Sequence, residues 1–355
     1  MAKIKLSTNQ KRNVKARHNK ILKTAQDKKI IDESFDSNSY SELKNGIVIS
    51  RYGKQADIED VDSRQVYRCF IRRTIDSIIT GDKVLFRTNT QNTEEAGLVE
   101  ALQERTSLLS RPDRYDGVKP IASNLTKIAI VCTKEPEFST NILDRYLVAC
   151  EQAQILPIIV INKIELFKTE EEINYLNGIL EVYKKIGYKV YKTSTFENIG
   201  ITELKDEIKT DNCIFVGQSG VGKSSLLNKL VPEAKALTNV ISEISGLGQH
   251  TTTNSKLYHF EEGGIIIDSP GVRGFALWHL TNQQVTNSYK EFQPFLGTCK
   301  FRDCKHENDK GCAIIQAVED GHIAKFRLEN YYQILKSMEN DKPDAYVAPG
   351  RKYGK

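Results

Sequence analysis

The run GQSGVGKS, from Gly217 to Ser224, has the spacing G-x-x-x-x-G-K-S. Glycines at Gly217, Gly220 and Gly222, with Val221 between the last two, let backbone N–H groups turn inward around phosphate oxygens. A helix expected to start near Lys223 and to run on through Ser225 adds its positive end. In such a loop Lys223 meets the β- and γ-phosphates, and the Ser224 hydroxyl takes a magnesium ion. The flanks suit that chemistry: NCIFVG reads as a strand running in, and SSLLNKL as a helix running out.

Upstream, INKIE (161–165) closes the apolar run ILPIIV. A carboxylate at Glu165 can accept from both N1–H and the exocyclic amine of guanine, a donor pair that adenine lacks. Lys163 can lie along the base, and Asn162 can brace the loop. Guanine-reading loops usually end in Asp, and Glu adds a methylene. At the end of the next strand, TST (193–195) puts Ser194 and Thr195 where a second base-contacting loop belongs. Downstream, DSPG (268–271) follows the strand-like GIIID. There Asp268 can hold magnesium through water, and Gly271 can present its N–H to a γ-phosphate. Between these elements lies SGLGQHTTT (245–253), whose Thr252 is the expected magnesium ligand and γ-phosphate sensor, with Thr251 and Thr253 as alternatives.

Proteins of this chemistry ordinarily begin with the phosphate loop. Here the base loop comes first, yet the five elements occur in one cyclic shift of the usual sequence. A sheet whose last three strands carry the base loops can be cut and rejoined without moving any site residue. The reversed order therefore sharpens the reading instead of spoiling it.

A second cluster follows. CKFRDCKHENDKGC holds Cys299, Cys304, His306 and Cys312, four soft ligands within 14 residues. They suit one closed, tetrahedral, structural zinc ion with no open position for catalysis. Lys300, Arg302, Lys305 and Lys310 interleave with them as a basic knob. The other four cysteines (Cys69, Cys132, Cys150, Cys213) are scattered in apolar runs and read as core. His18, His259, His279 and His322 have no such company and suggest no site.

These residues need elements to position them. GIVISRY (46–52), VYRCFIR (66–72), KVLFR (83–87) and GLVEAL (97–102) are short, strand-like and separated by turns, which favours a small barrel. Alternation puts Val66, Arg68, Phe70 and Arg72 on one strand face, with Tyr67, Cys69 and Ile71 on the other. From about residue 124 strands alternate with helical patterns: KIAIVCT, NILDRYLVACEQAQ, PIIVIN, EEINYLNGILEVYKKIG, YKVYKTS and ITELKDEI. Near-continuous apolar strands between helices mark a parallel sheet covered on both faces. The chain has 355 residues, 39% hydrophobic and 27% charged, which fits a globular multidomain protein. Its longest apolar run is far short of the roughly 18 residues that span a bilayer. The basic start lacks the apolar stretch of a secretory signal, so a cytoplasmic protein is expected. Ten Lys/Arg against one acid lie within the first 30 residues, although the whole chain has an excess of only five. A basic arm on an acidic body fits a nucleic-acid partner, because each neutralised phosphate releases counterions.

With these motifs in hand, the chain resembles the circularly permuted, ribosome small-subunit-dependent GTPases of bacteria. The resemblance rests on the barrel with IRRT, on RYDGVKPIASN, on the permuted order of the nucleotide motifs, and on CKFRDCKH. It implies an α/β P-loop GTPase domain of permuted strand order, preceded by an OB-like barrel and followed by a mainly helical zinc domain. The expected limits are 1–43 for the arm and linker, 44–112 for the barrel, 118–278 for the GTPase, 279–341 for the zinc domain and 342–355 for a tail. It further implies GTP with Mg2+, one structural Zn2+, and a small ribosomal subunit and its rRNA as partners of a monomer. A late role in subunit maturation, with release after hydrolysis, follows. His250 becomes the residue to suspect in hydrolysis, since Val272 stands where many GTPases carry a water-orienting glutamine. Two rivals are a passive rRNA-binding zinc protein with a structural nucleotide and an ATP-using P-loop kinase.

Overall fold

The computed structural model describes residues 40–75, 77–89, 97–113, 117–232, 234, 255–268, 277, 279–307 and 309–340. Expectations for the arm, for 245–253 including His250, Thr251, Thr252 and Thr253, for Gly271 and Val272, and for the tail fall outside these residues.

Five strands form a closed barrel: β1 (Lys44–Tyr52), β2 (Gln55–Asp60), β3 (Val66–Ile71), β4 (Lys83–Arg87) and β5 (Gly97–Leu102). Their order is β1-β2-β3-β5-β4, with β4 returning to β1 and β3 parallel to β5, the OB-like topology. Val48, Ile58, Cys69, Val84, Phe86 and Val99 fill it. On β3 the alternation is as expected, with Val66, Arg68 and Phe70 exposed and Cys69 buried. The strand β2 carries no such signal, because its acids Asp57, Glu59 and Asp60 read as a turn. Ala56 and Ile58 face inward, while the acids find partners: Arg68 for Asp57, Arg64 and the imidazole of His259 for Glu59, Lys44 for Asp60. The next strands, β6 (Leu108–Asp113) and β7 (Gly117–Ser123), pair with each other outside the barrel.

The sheet that follows holds β8 (Lys127–Cys132), β9 (Leu156–Ile161), β10 (Lys189–Lys192), β11 (Asn212–Val216), β12 (Lys256–His259) and β13 (Ile265–Asp268). It is parallel except at its edge, where β12 runs antiparallel to β13; the sequence reading has no strand at 256–259. Four helices connect the strands: α1 (Thr140–Ala153), α2 (Glu170–Ile186), α3 (Ile201–Ile208) and α4 (Lys223–Leu230). Ser139 caps α1, and Thr169 with Glu172 forms a capping box on α2. Ile128, Ile130, Ile159 and Ile161 pack against α1 and α2, while Ala129, Val131, Ile158 and Val160 pack with residues of α3 and α4. Both faces are buried, which is why these strands read as unbroken apolar runs.

The strand order is β10-β9-β8-β11-β13-β12. From β8 the chain proceeds outward to β9 and β10, whereas β11 is followed by strands on its other side, so a topological switch lies between β8 and β11. Ligands of open α/β sheets bind beyond the strand carboxyl ends at such a point. The base loop after β9 and the phosphate loop after β11 therefore flank one crevice.

Chain-terminal to the sheet come α5 (Asn282–Asn287), a 3-10 segment (Lys290–Phe295), α6 (Ala313–Glu319) and α7 (Lys325–Asn340). They share a core with α1 and α2. At its centre Arg327, only 1% exposed, donates to Asp144 of α1 and to Glu291 Oε1 at 2.6 Å. Asp144 also accepts from Tyr183 Oη and from Asn330 Nδ2, at 2.6 and 2.7 Å. No described helix is long and apolar enough to cross a membrane.

Candidate nucleotide site and zinc centre

The phosphate loop has the backbone its glycines allow. Gly217, Gly220 and Gly222 have φ of 144°, 84° and 94°, a region that side chains rarely enter. Space is short as well. A Cβ on Gly217 would strike the Val131 carbonyl, and one on Gly222 would strike the Asn162 amide. Gly222 caps α4, so the first turn of that helix faces the loop. Lys223 lies back along the loop, donating to the carbonyls of Gly217 at 2.8 Å and Gln218 at 2.7 Å.

The base loop is tied directly to this loop. Asn162, fully buried, donates from Nδ2 to Val221 O at 2.9 Å, and Lys163 Nζ donates to Gly220 O at 2.7 Å. Thr193 Oγ1 donates to Asn162 Oδ1 at 3.0 Å, so the second base-contacting loop joins the same network. Lys163 takes a left-handed φ of 57° and starts a 3-10 turn, Ile164–Leu166, that carries Glu165. Glu165 Oε2 is buried without a hydrogen-bond partner among the described residues. A buried carboxylate oxygen left unpaired is costly unless something donates to it. Ser194 is buried and accepts from Glu197 N at 2.9 Å, so its hydroxyl shapes the turn; Thr195 is half-buried beside it.

Asp268 ends β13 half-buried. Burial pushes its carboxyl up from the usual range, and Lys223 opposes that shift. Ser224 in the first turn of α4 and Asp268 are hard oxygen donors of the kind magnesium takes. The structure thus brings Asn162, Lys163, Val221, Gly220 and Gly222 into contact, with Lys223 beside Asp268. His250, Thr252 and Gly271 lie outside the described residues.

Cys299, Cys304, His306 and Cys312 converge, their ligand atoms all within 4.8 Å of one another. His306 Nδ1 lies 3.5 Å from each of the three sulfurs. One ring nitrogen cannot hydrogen-bond three thiols at once. Zn–S and Zn–N bonds of about 2.3 and 2.0 Å at a tetrahedral angle separate S and N by about 3.5 Å, so the donors fit zinc. Around them, Ala313 N–H donates to Cys299 Sγ at 3.4 Å, and Tyr332 Oη donates to the carbonyl of His306 at 2.7 Å. Lys300, Phe301, Arg302, Lys305 and Lys310 are exposed on this loop.

Residues 102–278 match the family model of the RsgA GTPase. A crystal structure of YjeQ from Thermotoga maritima superposes with a TM-score of 0.69 at 30% identity, over 84% of this chain and 100% of that one. The structure of YloQ, a circularly permuted GTPase, gives 0.65 at 28% identity, over 87% and 99%. The likeness thus extends over the full length, or nearly so, of two solved relatives. On these grounds the chain belongs to the RsgA GTPase family and is a circularly permuted enzyme that hydrolyses GTP.

Proposed function

We propose that this GTPase binds the small ribosomal subunit in the cytoplasm and times a late step of its maturation, leaving after hydrolysis. The observation that carries this reading is the outer face of the barrel. Arg68 stacks its guanidinium 4.7 Å from the Tyr52 ring, and Phe70 beside it is 51% exposed. Stacked aromatic and guanidinium planes on an OB-type sheet suit unpaired bases of RNA. The exposed cations of the zinc loop supply a second polyanion-seeking surface. The expected limits of the barrel (44–112), GTPase (118–278) and zinc domain (279–341) are kept in this reading.

In the nucleotide site Glu165 accepts from guanine N1–H and the exocyclic amine, and Lys163 covers the base. Asn162 holds the base loop to the phosphate loop, with Ser194 and Thr195 shaping the other side of the base. Backbone N–H groups of Gly217–Ser225 and the Lys223 ammonium neutralise the phosphates. Ser224 and Thr252 would hold the magnesium that arrives with GTP, with Asp268 reaching it through water, and the ion would supply charge neutralisation there. Gly271 donates to the γ-phosphate, and His250 directs the attacking water. Zinc, held by Cys299, Cys304, His306 and Cys312, contributes only the closing of its loop.

The test is GTP turnover with and without purified small subunits. A rate that rises with subunits, and retention of the protein on them with a non-hydrolysable GTP analogue, is expected. Turnover and retention indifferent to subunits would overturn the reading.

A further inference from the structure

Glu165 must present two oxygens to two fixed donors, and a glutamate has one more rotatable bond than the aspartate usual in such loops. Selective recognition needs that carboxylate held to within about half an ångström. The loop's leading end is secured by Asn162 and Lys163 on the phosphate loop and by Ile164 N–H on Thr193 O at 3.2 Å. Its trailing end is secured from elsewhere. Lys134 Nζ donates to the carbonyl of Leu166, the residue after Glu165, at 3.0 Å, and to Glu172 Oε1 at 2.6 Å. The other oxygen of Glu172 accepts from the N–H groups of Lys168 at 3.0 Å and Thr169 at 3.4 Å. Residues 166–172 are thus closed into a ring of bonds around one ammonium. Lys134 stands two residues after β8, a central strand beside the topological switch, so the ring is fastened to the interior of the sheet.

Stability is a poor explanation for this arrangement. The Lys134 and Glu172 side chains are 31% and 35% exposed, and pairs so hydrated contribute little to folding. What the ammonium does uniquely is fix a backbone carbonyl adjacent to the base-reading carboxylate. We propose that Lys134 is a positioning residue for guanine selectivity, acting through the loop that carries Glu165. The inference rests on the base-reading role proposed for Glu165.

Calorimetric titration of the full chain with GDP and IDP tests both, since inosine lacks the exocyclic amine. The wild type should prefer GDP by about tenfold or more, the worth of one charge-assisted hydrogen bond. Lys134→Met should lower that preference at least about threefold, chiefly by weakening GDP, and should raise KM for GTP more than it lowers kcat. Lys134→Arg should keep the preference. Glu172→Gln, which retains its N–H acceptor but loses the ion pair, should lower it in the same sense should Lys134→Met fold poorly. In a Glu165→Ala background, Lys134→Met should change the preference no further. An unchanged preference in Lys134→Met, or GDP and IDP weakened alike, overturns the role of Lys134. An unchanged preference in Glu165→Ala instead overturns the base reading itself, and this inference with it.

Discussion

A carboxylate oxygen that is buried and unpaired is the sharpest single feature of the nucleotide site. Glu165→Ala should weaken GTP binding by about 2 kcal/mol or more, the scale of hydrogen bonds to a charged group. Glu165→Asp should preserve the preference for guanine. Competition titrations with ATP check both, and a wild type that takes ATP as readily as GTP would contradict the assignment. Hydrolysis rests on a different residue. His250→Ala should bind GTP almost normally yet turn it over at least about tenfold more slowly, roughly 1.4 kcal/mol of lost transition-state stabilisation. Single-turnover rates on small subunits read this directly, and a wild-type rate would leave water positioning to another group.

At the scale of elements, the zinc loop and the buried arginine make separate claims. The protein should purify with one tightly held zinc, measurable by metal analysis of the untagged chain. Cys304→Ala should open the 299–312 loop and lower the melting temperature, with little loss of nucleotide affinity, because a structural metal contributes folding energy. Arg327→Leu tests the joint between α7 and α1. It would leave Asp144, which is fully buried, and Glu291 without their cation, at a cost of about 3–5 kcal/mol. Urea unfolding followed by far-UV dichroism should show the loss, and a change under about 1 kcal/mol would mean the carboxylates find other partners.

For the whole molecule, the end of the sheet far from the nucleotide contributes to acid stability. Glu207 of α3 accepts from Lys127 at 2.6 Å, Lys189 at 2.8 Å and Tyr191 Oη at 2.7 Å. Burial alone would push its carboxyl up, but these donors overcome it and hold the group down to about 2. The unfolded chain titrates near 4.3. Because the folded value is the lower one, the contribution is present in full above about pH 4.5 and is lost as pH falls toward 2. Glu207→Gln should therefore be less stable than wild type at pH 7, and the gap should close on acidification. Parallel denaturant curves from pH 7 to 2.5 measure it, and a gap that stays constant would exclude the linkage. The barrel joins this body at a defined seam, where Ser50 Oγ and Thr80 Oγ1 both donate to Ser255 O, at 3.1 and 3.2 Å, and Glu59 pairs with His259.

Local chemistry and periodicity were legible in the residues themselves. G-x-x-x-x-G-K-S, the paired base-loop residues, the zinc spacing and the apolar strands each depend on neighbours in sequence, so their signals survive without a fold. Even the permuted topology was readable, since cyclic order is a property of sequence. Strand β2 was not legible, because its acids pair with side chains contributed by β1, by the turn before β3, by β3 itself and by β12. Strand β12, with only Leu257 and Tyr258 as apolar residues, did not declare itself beside the hydroxyl-rich loop. Nor could sequence reveal that Gly222 is glycine partly because Asn162 packs against it, that Lys134 reaches Leu166, or that Arg327 is buried. Each of these depends on residues far apart in the chain meeting at one place, and only the packing of helices on the sheet decides where such distant groups come together.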